Sequence, residues 1–158
     1  MAGMVRFVLA SILLVGLAAC AKRETTVNHT AHGSHGHIAP HGGTLVELGE
    51  HAYNLEIVRD VATGKLVIYV LDGHAENFVR IKASSFELIA HVGADKRPLT
   101  LQATANAATG ETVGDTAQFE AKADWLEAAA NIDAVIPALE IRGTRFENIS
   151  VRLPGAAR

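Results

Sequence analysis

The chain has 158 residues and is mildly acidic, with 14 Lys and Arg against 17 Asp and Glu and a formal charge of −3 when the histidines are neutral. Nucleic acid is a poor partner for it, because affinity for phosphate comes from clustered Lys and Arg. Its one cysteine, Cys20, excludes an internal disulfide, and metal chemistry falls to eight histidines and the carboxylates.

The first nineteen residues, "MAGMVRFVLASILLVGLAA", carry one cation, Arg6, then an apolar run over residues 7–17 and small residues before Cys20. That is the pattern of a secretory signal peptide, and the run is too short to cross a ~30 Å bilayer core as a helix. The stretch "LAAC", residues 17–20, resembles the bacterial lipobox, which implies cleavage ahead of Cys20 and acylation of that residue. Acylation at two or more points anchors a protein to a membrane, since each buried CH₂ contributes ~0.8 kcal/mol and one chain alone is marginal. The alternative is an ordinary secretory signal with an incidental cysteine. Ala21 rather than Asp follows Cys20, which favours the outer membrane, facing the periplasm, in a double-membraned cell. Cleavage also removes both methionines and Arg6, leaving thirteen basic against seventeen acidic residues, near −4. With no free sulfur ligand left, the expected metals are those suited to imidazole: Zn(II), Cu(II), Ni(II) or Co(II) rather than Cu(I).

Residues 20–43, beginning at the lipidated Cys20, are polar and show neither helical nor strand periodicity, so they read as a disordered His-rich tether. Within it His29, His32, His35, His37 and His41 are spaced by three, three, two and four residues on a Gly-containing segment. Such spacing lets several imidazoles converge on one ion without defining one geometry. A solvated tether whose rings titrate near pH ~6.5 with no ion bound accounts for the same composition.

From Thr44 the pattern changes to short runs of period two at residues 44–48, 51–60, 65–72, 77–83, 85–92, 97–103, 117–121, 134–142 and 145–153. Many short strands punctuated by turns predict an all-β domain over 44–154, an antiparallel immunoglobulin-like β-sandwich, with a tail at 155–158. "LVIYVL" is apolar on both faces and belongs in the middle of a sheet. Pro137 lacks a ladder donor, which places the early part of its strand at an edge or bulge. "ADWLEAAAN" breaks the alternation; Asp124 can cap and Glu127 follows three residues on, so one short helix with Trp125 or Leu126 turned inward is expected. Residues 104–116 read as a long surface loop.

Turn arithmetic yields a second histidine group. If residues 61–64 join two antiparallel strands, Asp60 faces Lys65, Leu55 faces Val70 and Ile57 faces Ile68, and the apolar pattern supports that register. His51 then falls opposite His74, at the ~5 Å Cβ spacing of facing residues. A shared ion or a ring stack fits this pair, but rings capping the end of the core are the more economical account, and Gly73 can end the strand early. Asp72, His74 and Glu76 alternate in "LDGHAEN", which is either a functional loop or a plain Asp-Gly turn. His91 reads as exposed. His41 is expected at the other end of the sheet from His51 and His74, so only a folded-back tether joins the two groups.

The segment "PHGGTLVELGEHAYNLEIVRDVATGKLVIYVLDGHAENFVRI", residues 40–81, with its HGG opening, YxLE strand and YVLD strand, resembles a group of small, poorly characterised bacterial lipoproteins and exported domains, as does the closing "ALEIRGTRFENISVRL". The resemblance implies an exported β-sandwich, in some cases linked with heavy-metal handling or efflux. It carries over no catalytic residue; only His41, Gly42 and Gly43 match the opening motif. The chain holds no HExxH, P-loop or GxSxG, so an enzyme and an organic cofactor are not expected. The expected function is a membrane-anchored lipoprotein that binds or buffers a divalent transition metal through its histidines, with a transport or efflux component as partner. The alternative is a non-catalytic interaction or structural module of the envelope on a plain flexible tether.

Overall fold

The structure, a computed structural model, describes residues 37–128 and 130–156. The signal segment, Cys20, His29, His32 and His35 lie outside the described residues. Eight strands alternate with short turns: β1 (Thr44–Leu48), β2 (Tyr53–Asp60), β3 (Lys65–Asp72), β4 (Ser85–Val92), β5 (Asp95–Ala103), β6 (Gln118–Lys122), β7 (Ile132–Ile141) and β8 (Thr144–Leu153). All pairings are antiparallel, in the order β1-β2-β3-β6-β5-β4-β7-β8.

The all-β class expected from the sequence is the class observed. Its strands form one curled sheet, however, because β6 pairs with β3 on one side and, through Gln102↔Glu120 and Ala103↔Phe119, with β5 on the other. That five-residue strand stitches together what would otherwise be two layers. β1 and β8 come into contact at the far ends of the order, so the sheet is a nearly closed barrel. Tyr53 meets the Phe146 ring edge-on at 6.0 Å across this gap, and Gly49 packs its backbone on the same ring. The interior is filled from every strand, with Leu55, Ile57, Ile68, Val70, Leu88, Leu101, Phe119, Ile136 and Ile149 fully buried.

The register expected for β2 and β3 holds over all eight pairs, from Tyr53↔Asp72 to Asp60↔Lys65. β3 lies inside the sheet, as its two apolar faces required. Residues 77–83 differ from expectation. Their alternation is real, since Val79 and Ile81 are buried while Phe78, Arg80 and Lys82 are exposed. Yet the Val79 amide donates to Val70 and the Ile81 amide to Thr116, so the segment changes partner after two residues and makes isolated bridges instead of a strand.

Pro137 also sits differently. The early part of β7 is paired on both sides, to β4 through Asp133, Ala134 and Val135 and to β8. The β4 ladder stops at Val135, and Pro137 follows it where no donor is needed on that side. Opposite, Asn148 of β8 has φ +52. The short helix is a single 3₁₀ turn, Asp124–Glu127, with Leu126 buried; its cap position is Ala123, and no side chain caps it, so Asp124 is a first-turn residue and not the cap. Arg59 closes this end of the barrel. Its guanidinium, which the sequence reading passed over, donates to the carbonyls of Leu126, Ala128, Ala130 and Pro154.

Candidate functional site

The face of β2 and β3 turned away from the interior carries Asn54 and Glu56 on one strand and Tyr69 and Leu71 on the other. Glu56 lies beside Leu45 of β1 and Tyr69 of β3, in one cross-strand row. On an open sheet face a carboxylate here would be in water. It is instead 0 % exposed, because the segment before β1 lies on top of it.

Three donors from that segment converge on the Glu56 carboxylate. The amides of His41 and Gly43 donate to Oε1 at 2.7 and 3.0 Å, and His41 Nδ1 faces Oε2 at 2.8 Å. Each glycine of the HGG motif has its own reason. Gly42 takes φ +70 in a turn whose amide bonds the Ala39 carbonyl at 3.0 Å, a conformation that costs a side-chain-bearing residue. Gly43 lies so close to β2 that a Cβ would stand 2.6 Å from the Ile57 carbonyl oxygen and 2.9 Å from Glu56 Cγ. The His41 ring stacks on Tyr69 at 3.9 Å and 8°, with Phe78 tilted against it at 5.7 Å. Burial, and then the neighbouring Glu56 charge, raise the Tyr69 phenol above its ordinary range, so it stays neutral under the imidazole. The three motif pieces that carry the lipoprotein resemblance, HGG, YxLE and YVLD, thus supply His41, Glu56 and Tyr69 to one place.

The turn over residues 39–42 reverses the chain, which runs back along the sheet. His37 reaches the far end of β3 and meets the His74 ring edge-on, with centroids 5.7 Å apart. His74 is exposed and stands in the loop after β3. The Asp72 carboxylate organises that loop by accepting from the Glu76 amide at 3.0 Å and from Asn77 Nδ2. Desolvation works against the charged form of Asp72, but these bonds together with the Asn77 and His74 amides outweigh it and hold its pKa below the ordinary value. The alternation of Asp72, His74 and Glu76 is therefore that of a side-chain-stapled turn, which sets where His74 stands.

His51 and His74 were expected as cross-strand neighbours. The ladder ends at Tyr53↔Asp72, short of that pair, because residues 49–51 turn through three successive left-handed conformations. Gly73 then presses on this turn so closely that a Cβ would lie 1.8 Å from the His51 carbonyl oxygen. The His51 ring faces Glu47, Nδ1 to Oε2 at 2.9 Å. His91 is exposed, as expected. The sequence reading missed Glu56 and Tyr69. A carboxylate at an interior strand position, directly flanked by the apolar Leu55 and Ile57, was the signal available for the first.

Chemically, the arrangement fixes an imidazole. The tautomer with its proton on Nδ1 donates to Glu56 and leaves Nε2 as the lone-pair nitrogen, the orientation that a carboxylate imposes on histidine ligands of metals. Nε2 of His41 makes no hydrogen bond among the described residues. Among those residues no three His, Cys, Asp or Glu are grouped to hold a metal ion, so any complete coordination shell needs ligands beyond the His37 and His74 pair. A separate groove of about 500 Å³ lies by Arg80, Lys82, Phe86, Leu139 and Arg142. Arg80 is spent there on Asp115 and on the carbonyls of Thr109 and Gly110, so the groove is not a built anion site.

No protein-family model, curated protein or solved structure matches the chain. Among the described residues no helix is long and apolar enough to cross a membrane.

Proposed function

We propose that this is an exported, lipid-anchored envelope protein that captures a divalent transition metal through exchangeable imidazoles and passes it to a transport or efflux partner. The observation that carries the reading is the meeting of His37, from the His-rich lead, with His74, from the β-domain, at 5.7 Å between ring centroids. Two rings at that separation can turn their nitrogens onto one ion, and Zn(II), Cu(II), Ni(II) and Co(II) all accept imidazole. His29, His32 and His35, ahead of His37 in the lead, are the reserve from which a shell is completed, together with water, while His41 is held on Glu56. The lipobox-like "LAAC" supplies the anchor at Cys20, and the His-rich lead that follows it would sit close to the membrane. The resemblance to lipoproteins linked with metal handling points the same way.

The test is elemental analysis of full-length protein purified without added metal, followed by Zn(II) and Cu(II) titration of the wild type and of the H37N/H74N variant. The reading expects bound metal in the first and at least about a tenfold loss of affinity in the second, since even the outer-shell partners of metal ligands cost ~10- to 100-fold when removed. Metal-free protein with affinity unchanged by the double substitution rejects it. A second reading, a docking module, is favoured by the exposed Ile38 and Phe78 beside the same site, 87 % and 50 % accessible. It expects partner capture to survive H37N/H74N and to fail in I38S/F78S.

A further inference from the structure

His37 reaches His74 only because the chain four residues later is pinned to the sheet. Among the described residues, the three hydrogen bonds to the buried Glu56 carboxylate come from residues 41 and 43, and none comes from the barrel's own strands. The carboxylate is thus built to receive this segment. With the lead lifted away, Glu56 would return to water with nothing lost inside the barrel, whereas with the lead docked it is fully covered. Docking is a local equilibrium, of the kind that opens below the cost of global unfolding. We infer that Glu56 is a positioning residue for the metal site, and that docking of the HGG segment on Glu56 and capture of a divalent ion between His37 and His74 are coupled equilibria. This rests on the metal-capture reading above. Each event restricts the same short stretch of chain: docking brings His37 to His74, and an ion held between the two rings keeps residues 37–43 on the sheet. Coupling of this kind is reciprocal, so the factor by which docking raises affinity is the factor by which the ion strengthens docking.

Glu56 touches neither His37 nor His74, which makes the coupling separable from ligation. The experiment is a double-mutant cycle on the full-length chain with E56Q and H74N, reading Zn(II) affinity by titration and exchange of the His41 and Gly43 amides with and without Zn(II). Expected are about a tenfold loss of affinity in E56Q, within the usual ~5- to 150-fold range of coupling, and no further loss when E56Q is added to H74N. Exchange at both amides should be faster in E56Q and should slow on adding Zn(II) to the wild type, but not to H74N. E56D, which keeps the charge on a shorter stem, should recover part of both readouts, whereas a general loss of fold would leave E56D as impaired as E56Q. Zn(II) binding that is indifferent to E56Q, or amides whose exchange ignores Zn(II), overturns the inference while leaving metal capture standing. A wild type that binds no Zn(II) overturns both.

Discussion

Glu56 and His41 are fifteen positions apart and joined at 2.8 Å, and that contact turns the end of a polar leader into part of the β-domain. The described part of the leader, residues 37–43, adds no strand. It adds a stacked imidazole and two amides laid over an internal carboxylate, and the face it covers is the one that a barrel of this size would otherwise leave wet.

Gly43→Ala should lift the leader without touching the barrel. The added methyl would stand 2.6 Å from the Ile57 carbonyl oxygen, a backbone atom that cannot swing aside. Overpacking of this kind costs about 1–3 kcal/mol, and here the cheapest relief is undocking. We expect faster exchange at the His41 and Gly43 amides, with strand amides and melting temperature near wild type. Loss of protection throughout β2 and β3 would show instead that the leader is integral to the sheet.

Arg59→Met should destabilise the whole domain. Arg59 is 9 % exposed, and its guanidinium is shared among four carbonyls that otherwise face each other at the barrel end. Burial lowers its pKa from the ordinary value, but a guanidinium remains charged. Removing it leaves buried acceptors unpaired, at about 1–3 kcal/mol each where water cannot replace it. A fall in urea midpoint equivalent to roughly 3 kcal/mol or more is expected. Arg59→Lys should recover little, because one ammonium cannot span Leu126 to Pro154.

Asn148→Val should cost more than the same change at Ser150. Both side chains are exposed on β8, but Asn148 holds φ +52 opposite Pro137. A β-branched residue in that left-handed region loses about 1–2 kcal/mol, which Asn largely avoids. Urea denaturation should place S150V near or above wild type and N148V below it, with N148G close to wild type. Equal effects at the two sites would mean that the left-handed turn is not strained by a side chain.

What the sequence made legible was local and periodic. The bounds of β1, β3 and β4, and the pairing of Leu55 with Val70, follow from alternation and turn length, which act between neighbours. Closure into one sheet was not legible, because it depends on two residue pairs between β5 and β6, Gln102↔Glu120 and Ala103↔Phe119, which no pattern marks. Neither was the role of Glu56. A polar residue on the outward side of "YNLEI" looks solvated until the segment that buries it is known to fold back. The histidines were visible as a composition, but the pairing of His37 with His74 is a product of that fold-back, where strand register had suggested His51.

Acid should loosen the two stapled loops. Glu111 accepts from Thr109 Oγ1, Thr116 Oγ1 and the Ala117 amide, and Asp72 from Asn77 and the Glu76 amide. For both groups desolvation raises the pKa, and the hydrogen bonds overcome it, so each pKa lies below its unfolded value. A carboxylate with a depressed folded pKa contributes stability that is fully present above its unfolded pKa and is lost as pH falls through the folded one. The unfolded values are about 3.9 for Asp and 4.3 for Glu. Stability should therefore be flat above about pH 5 as far as these groups are concerned, and should decline below about pH 4. E111Q and D72N should each lower the urea midpoint at pH 7 and flatten its dependence below pH 5. Amide exchange should show residues 104–116 opening first in E111Q and residues 72–77 first in D72N. An acid limb as steep in both variants as in the wild type would assign it to other carboxylates.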